Sequence, residues 1–329
     1  MKTIAFFNNK GGVGKTTLVY HLAYMMADRG DTVLAVDLDP QANLSSMFLT
    51  EDELEDLWPD GEHPKTVFGA LRPIIRGLGD VQTHHVQPIA ERLGLVVGDL
   101  ALSTFEDKLS DAWPRCHNRD ESAFRTMTAF YRGVRQAAEA TRADWVLVDV
   151  GPNLGAINRA ALISSEYVLL PLGPDLFSLQ GLRNLGPALR TWRKSWTELA
   201  EKSPDATMAL PSGKIEPLGY VVMQHGMRDS RPVKAYQRWI ERFPYTYRES
   251  VLDQQPGQVP PAANDPYCLA MLKHYRSLMP MAMEARKPVF TLKPADGAIG
   301  AHVEAVRNAY DDFLALGKKI AERSGGVLR

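Results

Sequence analysis

The sequence predicts an α/β fold, a doubly wound and mostly parallel sheet flanked by helices. Apolar runs of strand length alternate with segments whose apolar residues recur at helical spacing, which is the pattern of a parallel sheet covered on both faces. A glycine-rich loop joins the first predicted strand to the first predicted helix. The chain has 329 residues, 45% of them hydrophobic, which is enough to form a sizeable core.

Apolar runs mark the predicted strands, and helical spacing marks two helices. In "TTLVYHLAYMMADRG", Leu18, Leu22, Met25 and Met26 recur at helical spacing, and Gly30 is placed to end the helix. A C-terminal helix is predicted from about residue 301. The predicted strands are Thr3–Phe7, Thr32–Val36, Leu93–Val97, Trp145–Val150, Tyr167–Leu172, Leu218–Met223 and Val289–Leu292.

Three stretches interrupt this alternation and are predicted to be surface loops. Residues 51–64 are acidic and rich in turn-forming residues, while residues 201–217 and 253–266 are rich in Pro, Gly and small residues. None of the three separates two self-contained halves. We therefore predict a single domain over residues 1–329, with an elaborated region at 51–143.

Composition excludes several classes of protein. A net charge of −1 implies that any contact with nucleic acid depends on a local basic patch. The two cysteines, Cys116 and Cys268, form no CxxC pair, which argues against an iron–sulfur or zinc site within the chain. No apolar run approaches the roughly 20 residues of a membrane span, and the first apolar run is too short for a signal peptide. A cytoplasmic protein is expected.

The segment "GGVGKTT" follows the first predicted strand and opens the first predicted helix, which is the context that a phosphate-binding loop requires. Glycines allow the backbone N–H groups to approach an anion closely, and the helix dipole adds a positive field. Lys15 would neutralise the β- and γ-phosphates of a nucleotide, and the Thr16 hydroxyl would bind magnesium. The predicted nucleotide-binding residues are Gly11, Gly12, Val13, Gly14, Lys15, Thr16 and Thr17.

A second lysine, Lys10, stands at the start of this loop. The segment "KGGVGKTT" resembles the deviant Walker A loop of the ParA/MinD family of ATPases. The resemblance implies that Lys10 contacts the nucleotide held by a second subunit, so that ATP binding builds a homodimer. Two nucleotides at one interface bring several negative charges together, and a cation donated by the partner neutralises them. The alternative for Lys10 is a solvated surface lysine.

Two aspartates lie where the second predicted strand ends, in "VLAVDLDPQANLSSM". Open α/β sheets bind ligands at this end of their strands. The segment resembles switch I of the same family, which implies that Asp39 orients or activates the attacking water and that Asp37 supports the magnesium shell. Either aspartate alone would be read as a helix or turn cap.

The segment "DWVLVDVGPNLG" has the form of a Walker B strand ending in Asp149. A carboxylate after four apolar residues is costly to bury unless a cation meets it, and magnesium, bound through a water, is the natural partner. The resembled family commonly has a proline where Gly151 stands. Glycine restores an N–H that could face the γ-phosphate and loosens the backbone of switch II.

The family resemblance runs from about residue 2 to residue 320 and is loosest in 51–143. It includes "YVLLPLGPDLFSLQGL", where Asp175 is a predicted helix cap. We give no functional role to His21, where the family often has asparagine. His84 and His85 are adjacent and therefore point in different directions, so we predict that they are surface residues rather than a metal site.

The predicted activity is Mg²⁺-dependent hydrolysis of ATP to ADP and phosphate, used as a nucleotide switch. The resemblance is closest to short, Soj-type ParA ATPases of chromosome and plasmid partition. It implies ATP-dependent dimerisation, non-specific DNA binding, association with the nucleoid and activation by a ParB-like or other protein partner. Nitrogenase-reductase-like and iron–sulfur relatives require interface cysteines that the sequence lacks.

The candidates for DNA binding are basic residues in two segments, "LRNLGPALRTWRKSW" and "HGMRDSRPVKAYQRWIERF". A solvated helix face is the alternative for each charge run. The candidates are Arg190, Arg193, Lys194, Arg228, Arg231 and Arg238.

Two other functions keep the ATPase switch but change its cargo. A MinD-like protein would position itself on a membrane, and this requires an amphipathic anchor for which the C-terminal segment has few spare large apolar residues. A ParA-like regulator would serve another multi-component system.

Overall fold

The computed structural model describes residues 1–225, 227–228, 231–232, 234–273, 275 and 277–329. Within these ranges, the side chains of 224, 225, 227, 228, 231, 232, 234 and 235 are not described. Most of the described strands form one eight-stranded sheet.

The carboxyl ends of β1, β5 and β2 lie next to each other at the centre of the sheet. The sheet order is β10-β7-β6-β1-β5-β2-β4-β3, in which only the β3–β4 pair is antiparallel. β8 and β9 form a separate short pair. The strands are β1 (Lys2–Phe6), β2 (Val33–Asp37), β3 (Gln87–Ala90), β4 (Leu93–Val96), β5 (Trp145–Asp149), β6 (Tyr167–Leu172), β7 (Glu216–His225), β8 (Met227–Arg228), β9 (Arg231–Pro232) and β10 (Cys268–Lys273).

Helices cover both faces of the large sheet, because successive residues of a strand point to opposite sides. Ile4 and Phe6 of β1 pack into one buried cluster and Ala5 into the other. The helices are α1 (Lys15–Asp28), α2 (Asn43–Phe48), α3 (Glu51–Leu57), α4 (Val67–Arg76), α5 (Phe105–Cys116), α6 (Glu121–Met127), α7 (Ala129–Thr141), α8 (Ala156–Ile163), α9 (Leu176–Ala200), α10 (Lys234–Ile240), α11 (Phe243–Thr246), α12 (Leu278–Ala285) and α13 (Ala301–Ser324).

The predicted fold class is confirmed, and six of the seven predicted strands are present within a residue or two. The seventh, Val289–Leu292, is wrong, because residues 289–291 form a 3₁₀ turn. Val289 and Phe290 are nevertheless buried, and the Val289 N–H donates to Nε2 of His21 at 3.1 Å. A short apolar run indicates burial but not strand geometry. The two edge strands of the sheet, β10 and β3, were not predicted.

The prediction that residues 51–64 form a surface loop is wrong in its first half, because these residues begin with α3. Thr50 and Glu53 form a reciprocal capping box, in which the Thr50 side chain accepts from the Glu53 N–H and the Glu53 carboxylate accepts from the Thr50 N–H. The sequence Thr-x-x-Glu is a known signal for such a helix start. The loops predicted within 201–217 and 253–266 are confirmed apart from short turns and the start of β7.

The two adjacent histidines have different environments, and the surface prediction for His84 is wrong. His84 is buried, and neither of its ring nitrogens has a hydrogen-bond partner among the described residues. A Cβ at Gly133 of α7 would lie 2.3 Å from Nε2 of His84, so the glycine provides the space that the ring occupies. His85 is half-buried and lies 3.3 Å from Oε1 of Gln87.

In the part of the chain that the structure describes, no helix is both long enough and apolar enough to cross a membrane.

Candidate nucleotide-binding site

The loop between β1 and α1 forms an open cradle of backbone N–H groups. Gly12 and Gly14 adopt φ angles of 72° and 87°, which favour glycine. Cβ atoms built at Gly11 and Gly12 meet nothing within 4 Å, so the loop faces open space. No side chain caps the start of α1 and its first turn has no acidic residue. The first N–H groups of this helix are therefore available to an anion.

Lys15 opens α1 and is 7% exposed. Burial lowers the pKa of Lys15, and the negative charges of Asp149 and Asp39 raise it in part. A lysine held among carboxylates at the mouth of an uncapped helix is placed to meet a polyphosphate. The predicted phosphate-loop residues therefore lie together in one site.

Asp149 ends β5 in the centre of the sheet and is fully buried. Neither of its carboxylate oxygens has a hydrogen-bond partner of ordinary geometry among the described residues. Burial and, to a smaller extent, the charge of Asp37 raise the pKa of Asp149 to about 8, although the Thr16 hydroxyl and Lys15 lower it in part. Buried carboxylates normally have partners, so this one is poised for a cation that enters the site.

Asp37 pairs in register with Asp149 on the neighbouring strand, but its oxygens are already occupied. One oxygen accepts from the backbone N–H and the hydroxyl of Ser45, both at 2.8 Å, and the other accepts from the Asp39 N–H at 3.3 Å. Burial raises the pKa of Asp37 to about 7, although the bonds from Ser45 lower it. A Cβ at Gly98 would lie 2.7 Å from Cγ of Asp37. Asp37 thus fixes the start of α2 within the predicted switch I.

Asp39 and Gly151 bring the two predicted switch segments together. Asp39 is 5% exposed, and one of its oxygens accepts from the Gln41 N–H at 3.0 Å. A Cβ at Gly151 would lie 3.3 Å from this oxygen. Nδ2 of Asn158 donates to the Gly151 carbonyl at 2.9 Å, which fixes the loop after β5. Glycine at 151 therefore leaves room beside the Asp39 carboxylate that a larger residue would crowd.

Lys10 is held within its own chain. Its ammonium group forms an ion pair with Asp175 and lies 5.7 Å from the ring centroid of Phe177. Both members of the pair are about one-third exposed. Asp175 also caps α9 as predicted, since one of its oxygens accepts from the Ser178 N–H at 2.9 Å. The lysine therefore lies at the rim of the loop, within reach of solvent and of a second molecule.

Sequence reasoning missed the residues that brace the site. The buried Asn8 donates to the Pro171 carbonyl at 2.7 Å, which ties the loop to β6, and its Oδ1 accepts from the Lys10 N–H at 3.1 Å. Ser45 and Asn158 brace the two switches. Asn8 lies in a loop, where asparagine is a common turn former, and Ser45 and Asn158 lie in the first turns of short helices. The residue types alone therefore do not signal this role.

A narrow cavity of about 30 Å³ begins beside Thr17, between the ends of β7 and β10. Its size is that of about one water molecule. The side chains around it are mainly apolar, and His21 and Phe313 stack there with ring centroids 4.9 Å apart. The lining residues are Thr17, His21, Met223, Leu272, Lys273, Tyr275, Met279 and Phe313.

Four of the six predicted DNA-binding residues have side chains that the structure describes. Arg190 donates to the Ser250 carbonyl and lies 3.3 Å from Asp253, and Arg193 donates to the Ile215 carbonyl at 2.8 Å. Lys194 and Arg238 are exposed, and the guanidinium of Arg238 lies 4.5 Å from the Trp239 ring centroid. The side chains of Arg228 and Arg231 lie outside the described residues.

Comparisons with known proteins agree with this arrangement. A protein-family profile described as an AAA domain matches residues 1–200. Protein IncC of Escherichia coli is 31% identical over 205 residues, which cover 60% of this chain and 48% of IncC. The chromosome partitioning protein ParA of Caulobacter vibrioides is 30% identical over 189 residues, which cover 56% of this chain and 61% of ParA. The chain thus spans about half the length of these relatives.

A solved structure with the same fold is that of a Cyanothece McdA variant in complex with ATP. It has a TM-score of 0.65 and 14% identity, and the match covers 99% of this chain and 97% of the other. At this level of identity the likeness concerns the fold alone.

Proposed function

The chain belongs to the AAA-domain family of ParA-like P-loop ATPases, and from this premise we propose that it is an ATP-hydrolysing switch that dimerises on ATP and binds DNA without sequence preference. The observation that carries the proposal is a buried carboxylate, Asp149, which lies near the buried Lys15 and the uncapped start of α1 and whose two oxygens have no hydrogen-bond partner of ordinary geometry among the described residues. Such a site suits a nucleotide triphosphate together with a divalent cation.

ATP or ADP binds with its phosphates in the cradle of residues 11–17. The N–H groups of the loop and of the first turn of α1 donate to the phosphate oxygens, and Lys15 neutralises the β- and γ-phosphates. Phosphate charge restores the ammonium form that burial of Lys15 disfavours.

The residues present fit a magnesium ion. Asp149 offers two buried oxygens that have no partner of ordinary geometry in the described part of the chain, and the Thr16 hydroxyl lies close enough to lower the Asp149 pKa. Asp37 supports this shell from the neighbouring strand, where Ser45 fixes its orientation. When bound, Mg²⁺ neutralises charge that develops on the phosphates and orients them. No group of three or more His, Cys, Asp or Glu side chains in the described ranges is arranged to hold a metal. Asp149 and the Thr16 hydroxyl would therefore hold the ion together with oxygens of the phosphates and of water.

Asp39 positions the attacking water for in-line transfer of the γ-phosphoryl group to water. Its carboxylate lies beside Gly151, where a Cβ would crowd one of the carboxylate oxygens. In this proposal the Gly151 N–H faces the γ-phosphate. Catalysis of this kind depends on positioning and on charge stabilisation. Lys10 of a second copy adds the final positive charge once it has left Asp175, so that a complete site exists only in the ATP-bound dimer.

DNA binding in this proposal depends on exposed cations of the dimer, because the whole chain has a net charge of −1. Lys194 and Arg238 are exposed, and we propose that Arg190, Arg193, Arg228 and Arg231 also contact DNA. For Arg190 and Arg193 this requires release of their internal carbonyl partners or contact through their remaining N–H groups. A ParB-like protein partner would trigger hydrolysis and release DNA, and the protein would be associated with the nucleoid.

The test combines phosphate release with retention of DNA. The wild-type chain, in Mg²⁺ and ATP, should release phosphate and should retard a DNA fragment of any sequence. Raising salt from 50 to 200 mM should weaken retention steeply, because counterions are released on binding. Asp39→Ala should retain DNA in ATP while releasing phosphate about 100-fold more slowly. Retention of equal strength without nucleotide, or none at 50 mM salt, would contradict the DNA-binding switch.

A further inference from the structure

The helix that follows switch II, α8, has no cap of its own. Its N-cap residue is Gly155, which has no side chain, and its first turn contains no acidic residue. A helix start leaves several N–H groups without an intrahelical partner. The loop of residues 150–155, which carries Gly151, enters α8 through these groups, so whatever satisfies them also fixes one end of that loop.

Glu106 of α5 provides the missing cap from a different part of the chain. Its two carboxylate oxygens accept from the Ala156 N–H at 2.5 Å and from the Ile157 N–H at 2.9 Å. A Cβ at Gly155 would lie 2.6 Å from Oε1 of Glu106, so the carboxylate occupies the space that a side chain at 155 would need. A negative charge at this position also complements the helix dipole.

A second contact joins the same two helices. The Arg159 guanidinium of α8 lies 4.3 Å from the Trp113 ring centroid of α5. Burial lowers the pKa of Arg159, and the nearby charge of Glu106 raises it in part. Helix α5 therefore holds α8 at its first turn and again one turn later, and α5 belongs to the elaborated region, residues 51–143.

The anchored helix reaches the reacting end of the site through one side chain. Asn158, also in the first turn of α8, donates to the Gly151 carbonyl at 2.9 Å and to the Asn153 carbonyl at 2.6 Å. Gly151 in turn lies against the Asp39 carboxylate. A movement of α8 therefore moves the backbone beside the residue that we assign to the attacking water.

We propose that Glu106 is a positioning residue for ATP hydrolysis, which anchors α8 to α5 and so fixes Gly151 relative to Asp39. This inference rests on the proposed ATPase function. It gives the elaborated region a defined task, since displacement of α5 is transmitted to switch II through the Glu106 carboxylate. Phosphate binding by Lys15 and the residue 11–17 loop does not depend on this contact.

Two variants separate positioning from simple stabilisation of α8. Glu106→Gln removes the charge and presents an amide donor to one of the two N–H groups. The double variant Glu106→Ala/Gly155→Ser moves the cap into α8 itself. The φ of −75° and ψ of 179° at Gly155 permit serine there, and the Asn153 side chain, whose Oδ1 lies 2.8 Å from a Cβ at this position, has to shift to admit it. This variant restores the helix cap but not the link to α5. Asp107→Asn, the same kind of change at an exposed neighbour, is the matched control.

The measurements are kcat, KM for ATP and the thermal midpoint of each full-length variant. We expect Glu106→Gln to lower kcat about tenfold while KM stays within twofold, because misplacement acts on the reacting groups rather than on binding. The double variant should recover the thermal midpoint yet keep the low kcat, and Asp107→Asn should match the wild type.

Two results overturn the inference while leaving the proposed function intact. One is an active wild type with kcat of Glu106→Gln within twofold of it. The other is a double variant that regains both stability and kcat, which would make Glu106 a helix cap only. A wild type that hydrolyses no ATP overturns the proposed function, and the inference with it.

Discussion

At the scale of single residues, the site is defined by which charges have partners and which do not. Asp37 is buried and fully engaged by Ser45, whereas Asp149 is buried and has no partner of ordinary geometry among the described residues. Burial of a lone carboxylate raises the free energy of the protein. Binding of a cation together with phosphates would therefore be stabilised by the charges of the site. The two lysines are not equivalent, because Lys15 is buried in the site and Lys10 is paired at its rim.

Lys15→Ala should weaken ATP binding by about 100-fold, because the phosphates lose a charge-assisted contact worth about 3 kcal/mol. Isothermal titration with Mg²⁺ and ATP measures the change. Lys10→Ala serves as the control. Because Lys10 is paired with Asp175 at the rim of the loop, this variant should keep the ATP affinity of the monomer within threefold of the wild-type value. Equal affinities for wild type and Lys15→Ala would contradict the assignment.

Asp175→Asn should strengthen ATP-dependent dimerisation. Asparagine still caps α9 but cannot hold Lys10 as an ion pair. Each of these one-third-exposed pairs contributes at most about 1 kcal/mol, and two of them break in each dimer, so the dissociation constant of the dimer should fall by up to about 30-fold. Sedimentation over a concentration series with a slowly hydrolysed ATP analogue measures it. A dimer weaker than that of the wild type would show that Asp175 supports the dimer instead of opposing it.

At the scale of secondary structure, the sequence predicts well what depends on local pattern. The phosphate loop, the strands carrying Asp37 and Asp149 and the cap at Asp175 follow from glycine placement, apolar runs and capping residues, and the structure places them as expected. The strand predicted at Val289 failed because burial of an apolar run does not fix its geometry. The Glu106 cap of α8 joins residues about 50 positions apart, so no local pattern could predict it.

The burial of His84 also depends on packing that the local sequence does not show, and it predicts a measurable pH dependence of stability. Burial lowers its pKa to about 4, whereas the unfolded chain binds the proton near pH 6.5. Unfolding therefore takes up a proton between these values, and stability falls as the pH decreases through this range. His84→Leu should remove about 2 kcal/mol of the wild-type loss in unfolding free energy between pH 7 and pH 4.5, measured by urea denaturation.

The control for this experiment is His85→Leu, the same change at the half-buried neighbour, which should keep the wild-type acid sensitivity. If His84→Leu loses as much stability on acidification as the wild type does, then His84 is accessible to protons in the folded state.

At the scale of the whole molecule, the proposed function needs two copies of the chain. One copy presents an open loop of backbone N–H groups, and at the rim of this loop Lys10 is paired with Asp175. Helix α5 ties the elaborated region to switch II, so a partner that contacts residues 51–143 has a physical route to the hydrolysis step. A net charge of −1 leaves DNA binding to local cations, which dimerisation would double in number.

The most direct test of the account is the mass of the protein in solution, measured by light scattering with Mg²⁺ and a slowly hydrolysed ATP analogue. The wild type should pass from the 36.6 kDa of one chain to twice that mass, while Lys10→Ala should bind the analogue and stay at 36.6 kDa. If Lys10→Ala doubles its mass as readily as the wild type, then the nucleotides are not joined by an ammonium group that each copy lends to the other.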